Sequence, residues 1–395
     1  MKYIPYGKQF IDNEDKKSVL NSLSNDLITT GPFVKKFEKK LKKYLNCKYS
    51  YVCSSGTAAI HLAMLSIGLK KDDIILMPAI NFIASYNTAK TMQLKVYLVD
   101  VDEHTGQITP NKIIECIKKN KLKKISALIT MYHGGYPENV KKFYDIKKKY
   151  NFFIVEDACH ALGSEYEFRN KSYKIGSCKH SDISTFSLHP LKSITSGEGG
   201  VITTNNVKIA KNIKLFRSHG ISRNKKKHWK YDVVKYGFNY RLSDINCALG
   251  LSQLKKINSF LYKRKKIYKK YISELQNFSR HLITPEYSKT VKPAFHLFVI
   301  NIDLSQSKKN KDHFMTYLMR NNILAQQHYI PIYKFKVYKE NPNNFPGTEK
   351  FFKNSISLPI FVNLNETKQK KIITIIKRYL LAFIMRKNLN NFKGT

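Results

Sequence analysis

No two of the six cysteines form a C-x-x-C pair, so the spacing of a zinc site and that of a disulfide framework are both missing. Cys47, Cys53, Cys116, Cys159, Cys178 and Cys247 are widely separated, which suits a reducing compartment. The opening residues, MKYIPYGKQFIDNEDKKS, contain no apolar run, and no secretory signal is expected. The apolar stretch IITIIKRYLLAFIM (372–385) is interrupted by Lys377 and Arg378 and falls short of a bilayer span. It reads as an amphipathic closing helix. Acidic residues are scarce, 28 against 70 Lys and Arg, for a formal net charge of +42. Charge of one sign on this scale draws nucleic acid or an anionic surface. The lysines nevertheless fall in short runs along the whole chain, such as KKFEKKLKK (35–43) and KRKKIYKK (263–270), on the polar faces of apparent helices. No recognition helix and no aromatic–basic RNA motif accompanies them. The expectation is a cytoplasmic protein that neither enters a membrane nor binds nucleic acid, and that holds no metal.

What is present is enough for a sizeable core: 395 residues, 42% hydrophobic and 12% aromatic, with two domains as the prior for that length. Between about residues 50 and 205, short apolar runs alternate with helical stretches. IILMPAI (74–80), KVYLVDVD (95–102), ISALITMY (125–132), FFIVED (152–157), ISTFSL (183–188) and GGVITT (199–204) read as buried strands. This alternation predicts an α/β domain with a mixed, mostly parallel sheet flanked by helices, in which ligands gather beyond the carboxyl ends of the strands. A Lys-rich helix is predicted over 244–277, followed by a strand in HLFVINID, a helix in DHFMTYLMRNN and the closing helix. The predicted division is a large domain over 1–250, a smaller α+β C-terminal domain over 251–385, and a polar tail over 386–395. The N-terminal segment is expected to pack on the smaller domain.

Three stretches carry chemistry. In CSSGTAAIHLAML (53–65), hydroxyl residues and a glycine precede an amphipathic helix. That composition suits either a phosphate site at the helix N-terminus or an ordinary cap. FFIVEDACHALG (152–163) ends a buried strand in two adjacent acids. One of them can face the crevice, where a metal or a protonated ring nitrogen would offset its charge, or cap the next helix. In FSLHPLKSITSGEGG (186–200), Lys192 lies between an apolar strand, a proline and a glycine cluster. A lysine that loses hydration there has a lowered pKa and becomes a usable nucleophile and base. An anion cradle, a strand-end acid and a desolvated lysine are together what pyridoxal 5′-phosphate needs. Phe82, at another strand end, is placed to lie flat over the cofactor ring.

The segments TTGPFVKKFE, SSGTAAIHLA, VEDACHALGS, FSLHPLKSITSGEGG, LFRSHGI and GFNYRLSDINCALGLSQL make the chain resemble the DegT/StrS-type sugar aminotransferases. These are fold-type I pyridoxal-phosphate enzymes that aminate nucleotide-linked keto-sugars, and the resemblance runs from IPYGKQFIDNED to SLPIFVNL. It implies that Lys192 forms the Schiff base with the cofactor and that Asp157 partners its ring nitrogen. It implies further that Gly56, Thr57 and Ser187 bind its phosphate, that Phe82 stacks on its ring, and that His160 lies near its phenolic oxygen. Asn239 would reach the phosphate of the neighbouring subunit, which implies a homodimer with shared active sites. Two positions depart from the family pattern: Asn81 stands where threonine is common, and HGGYP (133–137) is a looser form of a family segment. The stretches HPLKSITSGEGG, LFRSHGI, FHLFVI and QHYIPIY look most like the C4 aminotransferases of pseudaminic acid biosynthesis. That likeness implies L-glutamate as amino donor, a UDP-linked 4-keto-6-deoxy-N-acetylhexosamine as acceptor, and His189, His328 and Tyr329 on the substrate side. Amination of another sugar, such as one leading to bacillosamine or perosamine, is the alternative within the family. A binder of anionic surfaces or nucleic acid, driven by the charge, is the distant one.

Overall fold

A computed structural model of the chain describes residues 3–392, apart from 225, 228, 280, 304–309 and 339–343, with side chains described as far as 385. Helices α1 (Asn13–Leu23) and α2 (Pro32–Leu45) come first. The chain then alternates through β1 (Tyr49–Cys53), α3 (Gly56–Ser66), β2 (Ile74–Pro78), α4 (Ala84–Thr91), β3 (Lys95–Val99) and α5 (Pro110–Lys119). It continues through β4 (Ala127–Met131), α6 (Val140–Tyr150) and β5 (Phe153–Asp157). A hairpin of β6 (Glu165–Phe168) and β7 (Lys171–Lys174) precedes β8 (Ile183–Ser187), β9 (Gly200–Thr204) and α7 (Val207–Arg217). A ribbon of β10 (Ile221–Arg223) and β11 (Tyr231–Val233) leads into the 32-residue α8 (Asp244–Leu275). The last part holds β12 (Leu282–Ile283), β13 (Val291–Lys292), β14 (Phe298–Ile302) and α9 (Lys311–Arg320). It ends in α10 (Pro346–Asn354), β15 (Ser355–Leu358) and α11 (Glu366–Phe392), so the closing helix extends into the stretch expected to be a polar tail.

Seven strands form the central sheet in the order β1-β9-β8-β5-β4-β2-β3. All are parallel except β9, which runs antiparallel to both β1 and β8. This is the mixed, mostly parallel sheet with flanking helices that the alternating pattern predicts. Strand β1, YSYVC, is not among the predicted strands; it is an edge strand, and its polar serine and tyrosines break the apolar run. Because six strands share one direction, the segments after β1, β2, β4, β5 and β8 all emerge on the same rim. That geometry brings residues distant in sequence to one place.

Helix α8 passes through residue 250 without a break. Its first half buries Cys247, Leu254 and Ile257 against α2 residues Phe37 and Leu41. Its second half buries Tyr268, Tyr271 and Leu275 with Phe298, Ile356 and Ile376 from β14, β15 and α11. The N-terminal segment joins this second core. Ile4 bridges Ile323, with hydrogen bonds from Ile4 N to Asn322 O at 2.9 Å and from Leu324 N to Ile4 O at 2.9 Å. Among the described residues no helix is long and apolar enough to cross a membrane.

Candidate active site

A cavity of about 440 Å³ opens at the rim. Gly56, Thr57, Phe82, Asp157, His160, Ser187, His189, Lys192, His328 and Tyr329 all line it. Asn239 does not: it is exposed, in an isolated bridge with Ser218 outside this chain's own cavity. Four further lining residues, Asn81, Glu198, His296 and Tyr6, were not singled out as site residues by their sequence context.

One wall is built from the α3 N-terminus. Ser55 caps the helix, its Oγ accepting from Ala58 N at 3.1 Å, which leaves the Gly56 and Thr57 amides outside the helical ladder. Gly56 is required by close approach: a Cβ there would lie 2.8 Å from Ser187 Cβ. The end of β8 and the start of α3 therefore meet, setting the Ser187 hydroxyl beside two free amides at a positive helix end. This suits a phosphate.

At the end of β5 the two acids separate. Glu156 turns away and is buried, accepting from Tyr132 Oη at 2.8 Å and from Ser184 Oγ. Burial pushes its carboxyl pKa up. Asp157 faces the cavity, fixed by Ser85 Oγ donating to Oδ2 at 3.0 Å and Cys159 N donating to Oδ1 at 3.3 Å. Ser85 lies 72 residues away on α4, and no local sequence signal marks it.

Lys192 is held by a closed turn after β8. Its amide donates to His189 O at 2.9 Å, and Ser196 N donates to Leu188 O at 3.0 Å. Burial lowers the Lys192 pKa, an effect partly opposed by the negative charges of Cys159 and Asp157 when these are ionised.

The opposite wall is a cluster of imidazoles. His160 and His296 pack with ring centroids 4.3 Å apart, and His133 and His328 lie within 6.4 Å of His160. The hydrogen bonds fix the His160 tautomer. Gly134 N can only donate, so His160 Nδ1 accepts from it at 3.3 Å and the ring proton sits on Nε2, facing Tyr329 Oη at 2.8 Å. Tyr329 Oη accepts the hydrogen bond from Nε2–H and keeps its own hydroxyl hydrogen for a bound molecule. His133 Nε2 likewise donates to His328 O at 2.8 Å.

Burial drives all four histidines toward the neutral form, His133 down to about 4 and His328 to about 3, with the Lys192 charge adding to the effect on His160, His296 and His328. The unfolded chain titrates its histidines near pH 6.5. As pH falls below that value the unfolded state gains protons that the folded state refuses. Stability is therefore full above pH 6.5 and is lost down to about pH 4 for His133 and pH 3 for His328, at about 1.4 kcal/mol per pH unit for each fully differential proton. The melting temperature is expected to drop steadily from pH 6.5 to 5, with a shallower slope in His133→Gln. A flat profile in both proteins would contradict this assignment.

The wall also contains buried polar atoms with no partner: Asn81 Oδ1 and Nδ2, and His296 Nδ1. Unpaired buried polar atoms around a cavity fit a polar ligand that completes them. No group of three or more His, Cys, Asp and Glu suited to a metal occurs among the described residues.

Residues 9–377 match the model of the DegT/DnrJ/EryC1/StrS aminotransferase family. The chain belongs to this family. Pyridoxal phosphate is thus the cofactor to be accommodated, and the free amides, strand-end acid and half-buried lysine fit it. Among DegT/DnrJ/EryC1/StrS relatives, the chain is 35% identical to the UDP-4-amino-4,6-dideoxy-N-acetyl-beta-L-altrosamine transaminase of Campylobacter jejuni, over 92% of this chain and 93% of that protein. It is 29% identical to the GDP-perosamine synthase of Escherichia coli O157:H7, over 92% and 95%. The solved structure of Helicobacter pylori PseC, an aminotransferase involved in the biosynthesis of pseudoaminic acid, superposes with a TM-score of 0.87 at 29% identity, covering 96% of this chain and all of that one.

Proposed function

We propose that this aminotransferase moves the amino group of L-glutamate to C4 of a UDP-linked 4-keto-6-deoxy-N-acetylhexosamine. The observation that carries the reaction class is the convergence of Lys192, Asp157 and the α3 N-terminus on one cavity. The choice of sugar rests on the 35% identity to the Campylobacter transaminase across nearly the whole chain.

Pyridoxal phosphate, when bound, supplies the carbonyl that takes up an amino group and the electron sink that makes the neighbouring proton labile. The chain's residues then divide the work. The Gly56 and Thr57 amides and the Ser187 hydroxyl would hold the phosphate, and Phe82 would cover the ring. Asp157, oriented by Ser85 and the Cys159 amide, would face the ring nitrogen and favour its protonated form. Lys192 Nζ, made easier to deprotonate by burial, takes and returns the proton that moves during amino transfer. Neutral imidazoles around it keep that wall free of competing positive charge. His189, His328 and Tyr329 face the substrate side, where the Tyr329 hydroxyl has a hydrogen to offer.

A homodimer with shared active sites is part of the proposal. Asn239 lies outside its own cavity on a segment that exposes Tyr231, Val233, Tyr236 and Phe238, with Tyr236 96% exposed. An apolar surface of this kind suits cover by a second copy, which would bring Asn239 to the neighbouring phosphate. Six free cysteines support a cytoplasmic setting.

The test is amino transfer from L-glutamate to a panel of UDP-, GDP- and dTDP-linked 4-keto-6-deoxy sugars, with the oligomeric state read by light scattering. The expected result is a dimer whose highest kcat/KM is on the UDP-linked N-acetylhexosamine. A preference for a GDP- or dTDP-linked sugar would replace the proposed substrate, and no transfer to any sugar would overturn the reading.

A further inference from the structure

We propose that the side-chain amide of Asn81 donates a hydrogen bond to the phenolic oxygen of the bound cofactor. The proposal rests on the reading above, in which pyridoxal phosphate occupies this cavity.

The first support is an unmet need. Asn81 is 1% exposed and lines the cavity, and neither Oδ1 nor Nδ2 has a hydrogen-bond partner. A fully buried carboxamide with both ends unpaired is costly, and a ligand in the cavity is the partner at hand.

The second is the order of the strands. Read along the sheet, the phosphate cradle lies on one side of β5, at the ends of β1 and β8. Asp157 stands at the end of β5, Met131 at the end of the adjacent β4, and Asn81 three residues beyond β2, the next strand over. In pyridoxal phosphate, the phosphate arm and the phenolic oxygen flank opposite sides of the axis through the ring nitrogen and the reactive carbon. With the nitrogen at Asp157 and the phosphate toward α3, the phenolic oxygen falls on the β4–β2 side. Asn81 is there. Its neighbours agree, since Phe82 forms the adjoining wall and Ser85 reaches Asp157 from the same segment.

The third is the lack of another free donor on His160, whose two ring nitrogens already have partners in Gly134 and Tyr329. The Tyr329 hydroxyl hydrogen and the unpartnered His296 Nδ1 are the remaining rivals, and both come from a different part of the chain.

A donor at the phenolic oxygen stabilises its ionised form. The cofactor linked to lysine then gives up its proton at a lower pH, and the visible absorption band records that step. Its midpoint is to be measured by pH titration of the cofactor-loaded full-length protein, in the wild type and in Asn81→Val, Asn81→Thr and Tyr329→Phe. Loss of one hydrogen bond to a charged oxygen is expected to raise the midpoint in Asn81→Val by about one to two pH units. Asn81→Thr, close to valine in shape but with a hydroxyl donor, should stay nearer the wild type. If Asn81→Val takes up no cofactor, Asn81→Ala replaces it in the same comparison. Unmoved midpoints in both Asn81 variants, or a rise confined to Tyr329→Phe, would overturn the inference while leaving the functional reading intact. A wild-type protein that stays colourless with added cofactor overturns both.

Discussion

Lys192→Ala is expected to abolish amino transfer and the visible band together, while the protein stays folded. The side chain sits in the cavity on a turn closed by the His189 and Leu188 carbonyls, so alanine removes a reactive group without breaking a backbone hydrogen bond. Two losses combine on the proposed reading: the covalent attachment point for the cofactor, and the base that moves the proton. A positioned general acid–base alone contributes about 10²–10⁴-fold, so at least that fall in kcat is expected. Residual colour after dialysis, or activity within tenfold of wild type, would show that another lysine does the work. The rival is not trivial to dismiss on composition, given 70 Lys and Arg in the chain. Burial distinguishes Lys192 from the many lysines on solvated helix faces.

Asp157→Asn should give the second-largest effect, with a different signature. The isosteric amide keeps the shape at the end of β5 but removes the charge proposed to face the ring nitrogen. Breaking one side of a buried ion pair costs about 3–5 kcal/mol, which corresponds to about 10²–10⁴-fold in rate. Because Lys192 and the phosphate cradle are untouched, the variant should still take up cofactor and colour. Binding retained with kcat collapsed is thus the expected pattern, measured at saturating glutamate and sugar. Wild-type kcat in Asp157→Asn would mean that the carboxylate serves only to order the turn after β5. Ser85→Ala, which loosens the carboxylate without removing it, should lie between the two.

The parts of this site that rest on local pattern were legible in the sequence. An apolar strand ending in an acid, a glycine before a helix and a lysine after a strand each announce themselves within a dozen residues. The strands fed that legibility, since six of the seven in the central sheet are short apolar runs. What stayed hidden depends on pairing across the fold. Ser85 looks like any serine on a helix until β2 and β5 bring α4 beside Asp157. His296 follows a phenylalanine in an apolar run and becomes significant only when its ring meets His160. Asn81 stood out merely as a residue where threonine is common. Its two unpaired polar atoms could not be foreseen, because lack of a partner is a property of the assembled wall. Asn239 is the converse case: the chain alone leaves it exposed, and its proposed role requires a second copy.

The central claim is that Lys192 carries the cofactor. Borohydride reduction of the cofactor-loaded protein, followed by proteolysis and mass spectrometry, tests it directly by fixing the cofactor covalently on the lysine that holds it. The expected result is a single modified peptide from the 186–200 region, with the added mass on Lys192. Modification spread over surface lysines, or none at all after loading, would contradict it.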